Sequence, residues 1–482
     1  AGDEPTQMLL GVLPIMARPH AKNVALIGFG SGVSAHTVLG SPELLRLDTI
    51  EIEPEMIRGS EAFKAVNHQA YDDPRSHLWI DDAKAFFAGA ARSYDVIISE
   101  PTNPWVSGVS SLFTLEFYVE TKRYLADDGI LMQWLQGYEL SDTLTLTVLA
   151  ALDQEFADYL ILRVGHSDWI IMASPTQKLG QLSDIPLGWV DDPNSPWAKM
   201  KPTFELLGIH DIGQVDSLVV ANRELLHPFL VGKPANSDAY PLLDTGAEKD
   251  RFMKHSAGLL HSIRWTPAPL LEVLGNYERR PYPAAGMGDL REPHVLYEAE
   301  QAALLMRVFE HPDTARCSDV EDSDCEFPPA GVMDLWVTQQ EALEEGEPNW
   351  DLWTERTYTI FRKTAPHINL ANAAWWAKVL EVAQGEDTPD DLVRAIELLD
   401  AMARREGPRL MTAIEQVREH KDDVVSKGLV AIATMVALEL TSAPEPTRNA
   451  LTTEIIDPLV DNNGTSEDLA FQALRLRAML AP

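Results

Sequence analysis

Residues 24–32 read Val24-Ala25-Leu26-Ile27-Gly28-Phe29-Gly30-Ser31-Gly32. A short apolar run ending in glycine is a buried strand that stops in a tight turn. The residues after it, Val33–Leu39, read as a helix. Glycines at alternate positions between strand and helix let the backbone turn sharply and let a cofactor approach it closely. The G-x-G-x-G pattern takes its weight from this strand–loop–helix setting. A βα turn with no ligand is the plainer alternative.

Working outward, further strands are predicted at Leu47–Ile52, His77–Ile80, Tyr94–Ser99 and Gly129–Trp134. Helical stretches lie between them at Glu53–Val66, Ala83–Ala90 and Leu115–Leu125. Strands alternating with helices predict a parallel sheet covered on both faces. Tyr159–Val164 and Trp169–Ala173 then flank Gly165-His166-Ser167-Asp168, which reads as a hairpin and so an antiparallel edge. That edge fits an S-adenosylmethionine-dependent transferase better than a nicotinamide dehydrogenase. Residues 1–175 are therefore read as an α/β nucleoside-binding domain, and residues 176–290, rich in Pro, Gly and Trp, as an irregular extension packing on it. Residues 291–482 read as an all-α region, with helices expected from Val295–Glu310 through Ser466–Leu480 and no fixed repeat period.

Composition narrows the chemistry. The charge sum is 39 − 74 = −35 over 482 residues, with a pI near 4.6. Phosphate contacts need a basic face, so the charge argues against a nucleic-acid partner and against docking on anionic lipid. It fits a cationic substrate, a salt-adapted source or plain solubility. No run of 18 apolar residues offers a bilayer span, and Ala1–Met8 lacks the pattern of a signal peptide. The chain starts without Met and close to its first strand, so a trimmed N-terminus is expected. Cys317 and Cys325 bracket an acidic loop without the glycine turn and terminal Glu of an EF-hand. Free thiols are expected there, with a local disulfide as the alternative, and no metal site is predicted.

The chemistry-bearing residues sit at strand ends. Glu51 ends the second strand, 19 residues after Gly32, where an acid can accept from both ribose hydroxyls. Glu53 shares its face and competes for the role, or caps the helix opened by Pro54. Asp81-Asp82 ends the third strand, where one acid can accept from an adenine amino group and the other can cap a helix. After the fourth strand comes Ser99-Glu100-Pro101-Thr102-Asn103-Pro104-Trp105. Its prolines stiffen a loop on the ligand-binding edge, so a carboxylate at Glu100 is placed to take a proton from an attacking amine. Trp105 walls an apolar slot, covers a cation or simply packs. Trp134, Gln136 and Tyr138 follow the fifth strand and are candidates to line an acceptor site.

These stretches, together with Asp72-Asp73-Pro74-Arg75, Ser111-Leu112-Phe113-Thr114-Leu115-Glu116-Phe117-Tyr118 and Gln133-Trp134-Leu135-Gln136, resemble the spermidine synthase (polyamine aminopropyltransferase) family, closest to its fused or spermidine-synthase-like branch. The resemblance runs from about Met8 to Ala173, with a weaker echo at Ala235-Asn236-Ser237-Asp238 and Pro241-Leu242-Leu243. It implies a Rossmann-like fold that binds S-adenosylmethionine or its decarboxylated form at Gly28, Phe29, Gly30, Ser31 and Gly32. It carries the ribose role to Glu51 and the adenine role to Asp82, with Ala83 beside it. Glu100 and Asn103 stand where the family has the two aspartates of its Asp-x-x-Asp-Pro loop. The base is therefore kept, and the charge that would hold an ammonium is lost. The family's N-terminal hairpin domain has no counterpart. The branch often carries a membrane segment, which implies a longer natural chain or a cytoplasmic relative.

The reading is an aminopropyltransferase-type enzyme that releases methylthioadenosine, with Glu100 as catalytic base and Asn103, Trp105, Gln136 and Tyr138 at the substrate. Its partners are a small amine or a substrate derived from S-adenosylmethionine, and a second copy of the chain in a homodimer. Methyl transfer or cleavage of S-adenosylmethionine is the first alternative. A non-catalytic nucleoside-binding scaffold is the second.

Overall fold

The computed structural model describes residues 4–89, 92–165, 168–182, 185–258, 260, 263, 268–282, 296–312, 333–343, 348–370, 372–385, 388–420, 424–456 and 458. Cys317, Cys325 and the helix expected at Ser466–Leu480 lie outside these residues.

The sheet is built from β1 (Asn23–Ile27), β2 (Arg46–Glu51), β3 (Ser76–Ile80), β4 (Tyr94–Ser99), β5 (Leu125–Gln136), β6 (Asp158–Val164), β7 (Asp168–Ser174) and β8 (Val219–Asn222). Its order is β3-β2-β1-β4-β5-β7-β6-β8. The first five strands pair in parallel, and β7, β6 and β8 add antiparallel pairings. This is the α/β class expected, with the hairpin at the antiparallel side. The order reverses between β1 and β4, and at such a switch point a crevice opens above the carboxyl ends of the strands.

Several elements differ from expectation, among them three in or beside the sheet. β5 begins at Leu125 rather than Gly129, because the ladder to β4 slips between Tyr94 and Val96 and resumes at Ile130. β8 has no counterpart among the predicted strands: Val219-Val220-Ala221-Asn222 pairs with β6, and so short a stretch carries no period to read. The third is helix α1 (Glu4–Ala17), which Pro14 and Gly11 disguise. Gly11 serves close packing, since a Cβ there would lie 2.7 Å from Thr37 in α2 (Val33–Leu39). β2 leads into α3 (Pro54–Ser60), where Glu53 is the N-cap and accepts from the Glu55 amide at 3.2 Å.

Polar anchors fix the loops beneath the crevice. Asp48 on β2 is fully buried and accepts from the Arg46 guanidinium, the Trp79 indole at 2.8 Å and the Tyr94 hydroxyl at 3.0 Å. Burial alone would push this carboxyl up. The bonds from Arg46, Trp79 and Tyr94 outweigh it and hold the group below the usual carboxylate range. Arg75 pairs with Asp73 and donates to the carbonyls of Leu39, Ser41 and Leu44, which pins the end of α2. Buried Asn236 donates to the Phe113 carbonyl at 2.9 Å and accepts from the Leu243 amide at 3.0 Å. Residues 235–243 thus belong to the same unit as the sheet.

Contacts divide the chain into one unit of Ala1–Arg223 with Leu230–Gly258, and a second of Glu224–Phe229 with Leu259–Pro482. The second unit's core includes Trp353, Trp375 and Trp376, each fully buried. Its helix Lys427–Leu440 is buried from Gly428 to Leu438 and starts at the Ser426 cap. The helix Gly407–His420 carries Pro408 in its first turn, where Pro is tolerated. Among the described residues no helix is long and apolar enough to cross a membrane.

Candidate functional site

At the end of β1 the chain must pass very close to β4. Gly28 has φ +90°, and a Cβ there would sit 2.2 Å from the Glu100 carbonyl oxygen. The Gly28 amide donates to Ile50 O at 2.8 Å and the Glu100 amide to Ile27 O at 2.9 Å, so the ends of β2, β1 and β4 are locked together. Above them opens a cleft of about 680 Å³, in the range that holds a nucleoside-sized ligand.

Gly28, Gly30, Glu51, Asp82, Ala83, Glu100, Asn103 and Tyr138 all line this cleft. Glu51 is nearly buried, and each of its oxygens takes one backbone amide: Oε2 from Phe29 and Oε1 from Glu53, both at 2.9 Å. Carboxylate oxygens carry two acceptor sites each, so this clamp leaves Glu51 able to accept two further hydroxyls. Glu53 also reaches the cleft wall, with its carboxylate committed to the start of α3. Asp82 is exposed and uses Oδ1 to accept from the Ala85 amide at 3.0 Å, the helix-capping bond foreseen for one of the two aspartates.

Phe29, Ser31 and Gly32 do not reach the cleft wall. The Phe29 ring is buried and packs edge-on to Tyr71 at 5.5 Å. The Ser31 hydroxyl donates to the Gln7 side chain. Gly32, with φ +77°, lies beneath the Phe29 ring, where a Cβ would come within 3.0 Å. These residues shape the loop that presents Gly28 and Gly30. Trp105 likewise lies outside the lining. Its ring sits 5.0 Å from the Arg251 guanidinium and 6.4 Å from Tyr138, so the cation it covers belongs to the protein. Asn103 Nδ2 donates to the Tyr138 hydroxyl at 3.2 Å, which joins the loop after β4 to the residues after β5. Gln136 is fully buried on β5, opposite Asp168 of β7, and its amide has no hydrogen-bond partner among the described residues.

Several polar residues of the site are not signalled by the sequence. Thr6 and Gln7 of α1 and Asp168 at the start of β7 line the cleft. The Thr6 hydroxyl donates to Asp168 Oδ2 at 2.9 Å. Buried Ser34, in the first turn of α2, donates to Glu100 Oε2 at 2.5 Å. The sequence alone places Asp168 in the hairpin turn. The lining holds six acids, Glu51, Glu53, Asp81, Asp82, Glu100 and Asp168, and no Lys, Arg or His among the described residues. Among the described residues no group of three or more His, Cys, Asp or Glu is placed to hold a metal ion.

Residues 4–165 match the model of the spermine/spermidine synthase domain. Polyamine aminopropyltransferase 2 of Streptomyces coelicolor is 32% identical over 161 residues, 33% of this chain and 29% of that protein. The polyamine aminopropyltransferase of a Ruegeria species is 34% identical over 158 residues, 32% of this chain and 55% of that protein. The chain thus spans from under a third to just over half of the length of these curated relatives. A crystal structure of a probable spermidine synthase from Corynebacterium glutamicum aligns with 49% of this chain and 80% of its own at 19% identity and a TM-score of 0.36.

Proposed function

We propose, from the premise that residues 4–165 are a spermine/spermidine synthase domain, that this cleft transfers an aminopropyl group from decarboxylated S-adenosylmethionine to an amine and releases methylthioadenosine. The observation that carries the reading is the six-acid lining without a cation. A sulfonium donor and an amine acceptor are both cationic and suit such a wall. The carboxylate of intact S-adenosylmethionine would meet no cation there, which favours the decarboxylated form.

In this reading the roles follow the order of the sheet. Glu51 and Asp82, at the ends of β2 and β3, hold the ribose and the adenine, and Gly28 and Gly30 let the nucleoside lie against the backbone. Glu100, at the central switch point, faces the reacting centre. Beyond it, Asn103, Trp134, Tyr138 and Asp168 form the amine end. Asp168 supplies a carboxylate on the side where Asn103 has none. An ammonium has no lone pair and cannot attack, so Glu100 must remove a proton before or during the displacement. The donor supplies an electrophilic carbon beside sulfur. The protein supplies alignment, which is worth several kcal/mol.

Mass spectrometry of protein incubated with decarboxylated S-adenosylmethionine, S-adenosylmethionine and an amine mixture tests this directly. Methylthioadenosine with an aminopropylated amine is expected from the decarboxylated donor alone. S-adenosylhomocysteine would replace the reading with methyl transfer, and methylthioadenosine from S-adenosylmethionine without an amine product would replace it with cleavage.

Glu51 should dominate nucleoside affinity, since charge-assisted hydrogen bonds are worth about 1.5–3 kcal/mol each. Glu51→Ala is expected to weaken methylthioadenosine binding at least tenfold in calorimetry, with circular dichroism unchanged. Unaltered affinity would transfer the role to Glu53.

A further inference from the structure

The Ser34 hydroxyl lies between two acceptors. Glu100 Oε2 is 2.5 Å away on one side and the main-chain carbonyl of Gln7 is 3.1 Å away on the other. A hydroxyl has one proton, so it donates to one of them at a time. The side chain is 1% exposed, so water does not compete for it. The Gln7 carbonyl is held in place because the same residue's side chain accepts from Ser31. Helix α1 therefore places a fixed second acceptor behind the cleft's central carboxylate.

We infer that Ser34 is a positioning residue for Glu100: its hydroxyl donates to the carboxylate while that group is ionised, and turns to the Gln7 carbonyl once the carboxyl has taken a proton. The inference rests on the reading of Glu100 as the base. In the reaction an N–H bond of the acceptor breaks and its proton passes to Glu100. The nitrogen lone pair forms the new N–C bond, and the C–S pair leaves with sulfur. Ser34 exchanges no proton and only rotates. Ionised Glu100 thus has a charge-assisted donor, neutral Glu100 leaves no buried hydroxyl unpaired, and the carboxyl keeps its aim throughout.

The difference between the two bonds gives the sign. A bond to the ionised form is roughly twice as strong as a neutral one, so the hydroxyl lowers the protonation midpoint of Glu100, and its removal raises it. The titratable groups sharing the cleft wall are Glu51, Glu53, Asp81, Asp82 and Asp168, with Tyr138 after β5. None of them changes in the variants used. His36, also on α2, meets the His68 ring edge-on at 4.9 Å.

The test is a carbon-13 NMR titration of the free protein labelled at its Glu carboxyl carbons, with Glu100→Gln identifying the Glu100 signal. Ser34→Ala should raise the midpoint by about half to one pH unit. It should also lower kcat about tenfold while methylthioadenosine affinity stays within twofold. Ser34→Thr keeps the hydroxyl and should restore both. An unmoved midpoint in Ser34→Ala, or Ser34→Thr behaving like Ser34→Ala, overturns the role of Ser34. A wild type that binds methylthioadenosine yet transfers to no amine overturns the base reading, and this inference with it. A wild type that turns over beside an unmoved midpoint overturns the role of Ser34 alone.

Discussion

Glu100→Gln should bind methylthioadenosine as the wild type does and turn over about 10²–10⁴ times more slowly, the range for loss of a general base. The geometry separates the two effects. The main chain of Glu100 is anchored independently of its side chain, through the bond from its amide to Ile27 O at 2.9 Å and the close approach of its carbonyl to Gly28. A glutamine oxygen can still accept from Ser34, so the side chain stays in place. Nothing that grips the nucleoside is touched, because the Glu51 clamp is made by the Phe29 and Glu53 amides. What is lost is the capacity to hold a proton. The acidic limb of the rate profile should flatten, since the group that titrates there is gone. If the carboxylate merely ordered the Pro101–Pro104 loop, the amide would replace it and activity would stay within a few-fold. Near wild-type turnover with any amine would remove Glu100 as the base.

The first four strands of the sheet were legible because each closes on apolar residues that stop at Gly28, Glu51, Asp81 or the Ser99-Glu100 pair. Those same chain-reversal residues are the ones the cleft uses. Gly28, Glu51, Asp82 and Glu100 could be placed for that reason, since position at the carboxyl end of a parallel strand is readable from strand boundaries alone. What remained hidden came from residues whose role depends on a distant neighbour. Thr6 and Gln7 lie on a helix interrupted by Gly11 and Pro14, and only its packing on α2 explains the glycine. Ser34 reads as an ordinary helix residue until Glu100 folds back over it, 66 positions later in the chain. Asp168 reads as a turn residue until β7 aligns it with Gln136. That Phe29, Ser31 and Gly32 face away from the cleft was likewise beyond a pattern that specifies backbone conformation and not the direction of each side chain.

Asp48 carries the largest structural effect expected in the unit that holds the sheet. It lies behind the cleft, on the strand that delivers Glu51, and ties three strands together by accepting from Arg46 on β2, Trp79 on β3 and Tyr94 on β4. Arg92 approaches it at 3.3 Å. Asp48→Ala would leave the fully buried Tyr94 hydroxyl without an acceptor and remove several charge-assisted bonds. The arginines, which keep part of their surface in water, recover some of the loss. The expected destabilisation is about 3 kcal/mol, near the lower bound for breaking a buried ion pair by removing one partner. Scanning calorimetry at neutral pH should show it as a lowered midpoint for the transition that abolishes methylthioadenosine binding. The pH dependence has a definite sign. The folded protein holds this carboxyl below its usual range, so Asp48 contributes its full stabilisation above the unfolded value, near 3.9, and loses it as pH falls through the depressed folded value. The gap between wild type and Asp48→Ala should therefore stay constant from about pH 5 to 8 and narrow only below about pH 4. A gap that is small at neutral pH, or that widens on acidification, would show that the strands hold together without the carboxylate. The alignment of Glu51 with Gly28 would then rest on the ladder between β1 and β2 alone.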